Sequence, residues 1–284
     1  PPRSTLFPYT TLFRSKNREE PNFENTIGAF DKAGELLTKV SSVFFAQASA
    51  NTNDSIQNIE MEISPRLAGY YDEITLNPDL FLRVKQVYEN QQNLSLTPEQ
   101  KFILENLYKQ FVRNGANLGK EDQDTLRKIN QRLSVLGVQF SQNVLEETNN
   151  YRLFVGEEGL AGLPQSLKDA AAETAKAAGK EGQWAFTTQR PSIFPFLQYS
   201  ENRDLRRELF NAYINRGNNG NANDNNEILA EIVKLRAQRA RLLGYESHSH
   251  LVLEPRMAGN HDNVFDLLDR KSTRLNSSHG KLPR

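Results

Sequence analysis

The chain has 284 residues, 37% of them hydrophobic and 25% charged, with a mean hydropathy of −0.65. That length suits one large domain or two small ones, with enough apolar side chains for a packed core. No apolar run approaches the roughly eighteen residues that would suggest a membrane span, formal net charge is zero, and the absence of cysteine excludes disulfides, cysteine-ligated metals and thiol catalysis.

In chain order, Thr5 to Ser15 comes first and reads TLFPYTTLFRS. It resembles an in-frame translation of an adapter used in short-read DNA sequencing, and so does DRKSTRLNSSH at Asp269 to His279. Read as native, the first would be a β-rich arm and the second a basic tail. The length of both matches favours the adapter reading, and such scars are set aside from fold reasoning. The expected division is therefore 1–15 and 269–284 as adapter-like artefact, 16–150 as an N-terminal helical region, and 151–268 as a small β element plus helices leading toward a catalytic region. Setting aside seven basic residues and one acidic residue leaves 28 basic and 34 acidic groups between Lys16 and Leu268, a net charge of −6. A mildly acidic body argues against nucleic-acid binding, which usually presents a basic face.

Most of the body reads as helix. Asn22 to Ala50 carries Phe23, Ile27, Phe30, Leu36, Leu37, Val40, Val43 and Phe44 near a 3.6-residue period. Asp54 is positioned to cap a second helix, which Pro65 should interrupt or kink. Helical pattern continues over Leu67 to Glu89, with a break at Asn77-Pro78. Thr97-Pro98-Glu99-Gln100 is a capping box with proline at the first helical position, and Gly115 marks the end of the helix it opens. Glu121 to Glu147 is the strongest helix. Tyr151 to Val155 and Gln183 to Thr188 read as short strands, separated by a loop and by an alanine-rich helix, Leu167 to Ala178, capped by Ser166. Pro191 and Pro195 end the second strand. Helices follow over Asn202 to Asn215 and Glu227 to Leu243, with a polar turn over Arg216 to Asn226. Shorter helices span Ser247 to Met257 and begin again at Asp262. The expected fold is mainly α, at about 65–70% helix against about 30–35% in ordinary globular proteins, without the internal repeat of a solenoid.

Chemistry is sparse. His248, His250 and His261 are the body's histidines, and none belongs to HExxH, which sets two histidines one turn apart on a helix face to hold zinc. His248 and His250, two apart, would face different directions on a helix, so both read as surface or helix-start residues. Asp72 and Glu73 are adjacent rather than convergent, which suits a solvated helix face better than an acid–base pair. Arg203, Arg206 and Arg207 sit with Asp204 and Glu208 in an ion-pairing pattern. Lys234, Arg236, Arg239 and Arg241 are scattered around the next helix. Gly217-Asn218-Asn219-Gly220 lacks the lysine and hydroxyl of a phosphate loop. No catalytic, cofactor-binding or metal residue is expected within the chain.

Five segments, in order, carry a resemblance: PNFENTI at Pro21 to Ile27, LYKQFVRNGANL at Leu107 to Leu118, NQRLSVLGVQFSQNVLEETN at Asn130 to Asn149, FPFLQYSENRDLRRELFNAYINR at Phe194 to Arg216, and LLGYESHSHLVLEPRMA at Leu242 to Ala258. Together they resemble the N-terminal part of bacterial peptidyl-dipeptidases in peptidase family M3, the thimet oligopeptidase family, over nearly all of Lys16 to Leu268. The resemblance implies two mostly helical lobes around a narrow channel, in a zincin-type oligopeptidase. It implies zinc held by a downstream HExxH and a later carboxylate in the full-length parent, with none bound by this fragment. Short peptides would be the substrates, with no nucleic-acid or membrane partner. The complete protein would be a cytoplasmic monomer, although a periplasmic location fits if a leader precedes the body. The helices present would wall the channel, and the fragment would be inactive. Apolar faces meant for a second lobe would make the chain prone to association. The alternative is a non-catalytic helical peptide-binding module.

Overall fold

The computed structural model describes residues 19–279, with side chains described to residue 270. The adapter-like run at Thr5–Ser15 lies outside the described residues. A π-helical turn, Phe23–Gly28, runs into a short turn, Ala29–Asp31. It is followed by α1 (Glu35–Ala50), α2 (Asp54–Thr75), α3 (Pro78–Glu89), α4 (Pro98–Arg113) and α5 (Lys120–Asn150). Then come β1 (Leu153–Val155), α6 (Gln165–Ala177), β2 (Trp184–Phe186), α7 (Arg190–Tyr199) and α8 (Arg203–Ile214). The described chain closes with α9 (Asn226–Leu242), α10 (His248–Leu253) and α11 (His261–His279). Helix makes up 71% and the sheet has two strands, so the fold is mainly α, as expected. No described helix is long and apolar enough to cross a membrane.

Two compact units form. One contains residues 19–135 together with 233–279, and the other residues 136–232. The core of the first gathers Phe23, Ile27, Leu80, Val84, Leu104 and Phe111, where α3 packs on α4 and on the π-helical turn. The Asn22 side chain accepts from the Asn25 N–H at 2.8 Å, and Asn25 accepts from the Asn22 N–H at 3.0 Å. Arg83 on α3, buried, donates to the Glu19 carbonyl, Asn25 Oδ1 and Thr26 Oγ1, so the PNFENTI segment is pinned by polar as well as apolar contacts.

Several helix boundaries differ from the sequence expectation. The single helix expected over Asn22 to Ala50 is broken at Lys32–Gly34, because Gly34 takes a left-handed φ of 81°. Before the break Phe23 and Ile27 enter the core; after it Leu36, Val40 and Val43 are 62%, 59% and 72% exposed. Asn53, not Asp54, caps α2 by accepting from the Ile56 N–H. Pro65 does not end α2, which runs on for ten residues beyond it; a proline removes one internal bond, and the flanking turns carry the helix through. The capping box at Thr97 and Gln100 forms as expected.

In the second unit β1 and β2 pair antiparallel, Leu153 opposite Phe186 and Val155 opposite Trp184. Leu153 and Val155 face a core built with Leu167, Phe186, Phe196 and Leu209, while Phe154 points outward. Helix α6 begins at Gln165, ahead of the expected Ser166 cap, and has no side-chain cap. Pro191 does not simply end the second strand. It lies in the first turn of α7, where the missing N–H would be unbonded anyway. The Gly217–Gly220 turn wraps one carboxylate: Glu147 accepts from the Gly217 N–H (2.5 Å) and from the amides of Asn219 (2.9 Å) and Asn221 (2.6 Å). Burial pushes the Glu147 pKa up, and these three donors outweigh it, leaving the carboxyl below its ordinary value.

Candidate functional site

A cleft of about 640 Å³ lies in the first unit. One wall is a polar stripe of α4. Asn106, Lys109, Gln110, Arg113 and Asn114 recur at spacings of three and four and so share a helix face. The other wall is Arg239 of α9 with His248, Leu251 and Val252 of α10, and Glu254 to Arg256 just beyond it.

Arg113 holds the walls together. Its guanidinium pairs with Glu254 and donates to the buried Leu251 carbonyl and to the Tyr245 hydroxyl, 3.3 Å away. Tyr245 in turn donates to Glu254 at 2.5 Å. The turn that aims Arg113 needs Gly115, whose φ is 92°. A Cβ there would sit 2.6 Å from the Leu126 side chain.

Behind the cleft lies a smaller polar cavity of about 390 Å³, shared through Gln110, Asn114 and Arg239 and lined also by Asp72, Thr75 and Asn130. Asp72 is 6% exposed, which corrects the expectation of a solvated face; Glu73, its neighbour, is the exposed one. Asp72 Oδ1 accepts from Asn130 Nδ2 at 2.7 Å. Asp72 Oδ2, Asn130 Oδ1, Arg239 Nε and His248 Nδ1 are buried without a hydrogen-bond partner among the described residues. Burial raises the Asp72 pKa, opposed by the Asn130 hydrogen bond and by the charges of Arg239 and Arg127. Arg239 is therefore not one of a scattered surface set. Burial lowers its pKa against the pull of Asp72. His248 is held below the ordinary imidazole value first by burial and then by Arg236 and Arg239. The inner cavity thus sets a carboxylate and an amide oxygen, both acceptors, near the Arg239 guanidinium, while Arg239 and His248 also line the outer cleft beside Lys109 and Arg256, which gives that cleft its positive charge.

The other singled-out residues do not join this cleft. His250 and His261 meet edge to face, ring centres 4.6 Å apart, but the Nδ1 of His250 is bonded to Ser247 and its Nε2 is 3.8 Å from Glu246. No three histidine, aspartate or glutamate side chains converge among the described residues as a metal site requires, and zinc does not fit this donor arrangement. In the second unit Arg207 pairs with Asp204 at 3.4 Å, as the ion-pair reading expects, while Arg206 donates to the Ser200 carbonyl. Sequence reasoning does not find Arg113, Asn130 and Glu147 as organising residues. All three lie inside the resembling segments, which is the signal that could have found them.

Residues 196–279 match the family described as Peptidase family M3. Dipeptidyl carboxypeptidase of Escherichia coli (strain K12) is 35% identical over 243 residues, which is 85% of this chain and 36% of that relative. Oligopeptidase A of Haemophilus influenzae is 32% identical over 263 residues, 90% of this chain and 38% of that relative. Saccharolysin of Saccharomyces cerevisiae is 26% identical over 262 residues, 90% of this chain and 36% of that relative. The chain thus spans little more than a third of the length of the curated relatives it matches. These similarities are to peptidase family M3, through residues 196–279 and through relatives at 32–35% identity, and the mainly helical fold is consistent with them.

Proposed function

We propose that this chain is the N-terminal helical part of a zinc-dependent peptidase that hydrolyses short peptides, and that the zinc ligands of the whole protein lie outside these 284 residues. The observation that carries the reading is similarity across 85% of the chain to a relative named a dipeptidyl carboxypeptidase. The oligopeptidase A similarity supports the same substrate class. On this reading 16–150 and 151–268 are successive parts of one cytoplasmic peptidase, 1–15 and 269–284 are adapter-derived, and the described helices guard access to the peptide site. The 284-residue chain, incubated with zinc and short peptides, is expected to show no chelator-sensitive hydrolysis. Robust chelator-sensitive turnover by the chain alone would overturn the assignment of zinc to other residues. A long read of the source DNA across the Leu268 codon tests the rest. A frame continuing into HExxH supports the peptidase, and a stop there favours a non-catalytic peptide-binding module.

A further inference from the structure

The cleft between α4, α9 and α10 carries more positive charge than it neutralises. Lys109, Arg113, Arg239 and Arg256 line it, against Glu254. Glu254 is already committed to Arg113 and Tyr245. Arg113 is spent on the wall itself, and Lys109 leans toward Glu105, 3.8 Å away. Arg239 is faced by Asp72 from the inner cavity, but its Nε is buried and unpartnered among the described residues and the residue lines both cavities, so counting Asp72 with Glu254 still leaves the cleft's cations in excess. A concave wall focuses such a charge on whatever enters.

We propose that this cleft recognises the carboxylate side chain of a short acidic peptide, with the Arg239 guanidinium as its principal anchor. The peptide class rests on the peptidase reading; the anion preference does not. A volume of about 640 Å³ far exceeds an inorganic oxyanion and falls in the range of organic-ligand pockets. The amides of Asn106, Gln110 and Asn114 form a ladder suited to peptide N–H and C=O groups, and Leu251, Val252 and Pro255 supply apolar surface for neighbouring side chains. A planar guanidinium suits a carboxylate through paired hydrogen bonds. His248 lines the same cleft with Nδ1 buried and unpartnered among the described residues. The charged groups around it are Arg236 and Arg239, with Asp72 and Arg113 facing Arg239 in turn, and Lys109, Glu254 and Arg256 on the cleft walls. Burial, and after it the charges of Arg236 and Arg239, hold the His248 pKa below its ordinary value; an incoming carboxylate offsets the cationic part, so binding should tighten as His248 gains its proton on lowering the pH.

The chain's four histidines make the test direct. Imidazole resonances of the 284-residue chain, with His248 assigned by H248Q, are followed during titration with N-acetyl-Ala-Glu-Ala-amide, with the Gln counterpart, and with sulfate. The Glu peptide is expected to shift His248 with a dissociation constant on the order of 1 mM and to raise its apparent pKa. The Gln peptide should leave it still, and R239Q should weaken binding roughly tenfold. If R239Q loses the dispersed histidine spectrum, R239K serves, and unchanged affinity there would overturn the anchor role. Saturation by sulfate but not by the Glu peptide would make this a free-oxyanion site and overturn the peptide assignment. A His248 signal unmoved by either ligand would overturn the site itself, whatever the chain's relation to peptide hydrolysis.

Discussion

Arg113 shows why a residue's role is hard to see in one dimension. Its partners, Tyr245, Leu251 and Glu254, lie more than 130 residues away, and no local pattern links them. R113M should leave the Leu251 carbonyl unsatisfied and Glu254 unpaired, lowering stability by about 2 kcal/mol, measurable by urea unfolding. Asp72 gives a prediction with a definite sign. Its native pKa is raised above the ordinary 3.8, chiefly by burial. The native state therefore holds this proton more tightly than the unfolded chain. The stability contributed at Asp72 is complete below 3.8 and declines as pH rises through the native value. D72N should remove that downward slope from unfolding curves recorded upward from pH 3.8; an unchanged slope would mean another group causes it. Glu147 runs the other way. Its pKa is lowered from 4.5, so its contribution is present above 4.5 and is lost as pH falls through the native value. E147Q should cost about 2 kcal/mol at neutral pH, because a charged acceptor of three hydrogen bonds becomes a neutral one. Adjacency makes Asp72 and Glu73 look alike, and the helix turns one inward and one outward, a difference of about 100° that sequence spacing does contain.

At the scale of elements, legibility follows mechanism. The box at Thr97 and Gln100, the Asn77-Pro78 break and the paired strands around Leu153 and Phe186 each rest on a local rule, and each forms. Helix α7 escapes a sequence reading because its two prolines look like terminators, although one of them lies in the first turn. The stripe over Asn22 to Ala50 looks like one buried face, but periodicity does not say which turn of a stripe meets a partner. The tertiary answer is that Leu36, Val40 and Val43 face outward. Apolar faces of this kind promote association. Sedimentation velocity should show reversible self-association of the chain that V40E/V43E reduces; a monomer at all concentrations before substitution would contradict this.

At the scale of the molecule, the mainly helical class and the similarity to family M3 are legible because five segments keep their order, whereas the cleft is not. Its walls come from α4, α9 and α10, and only the fold brings Arg239 against the Asn106–Asn114 stripe. The first unit is also discontinuous, made of residues 19–135 and 233–279 with residues 136–232 between them. On a ribosome adding about 5–20 residues per second, Arg113 would leave the synthesis centre roughly 5 to 30 seconds before Tyr245, Leu251 and Glu254 are made. During that interval the first half of the unit has its Phe23–Phe111 core but only one wall of the cleft. The second unit, continuous in sequence, can finish meanwhile. Translation order thus makes the last-built wall, carrying Arg239 and His248, the step that completes the unit, and a nascent chain paused before residue 233 would present an open, unclasped α4 face to whatever chaperone meets it.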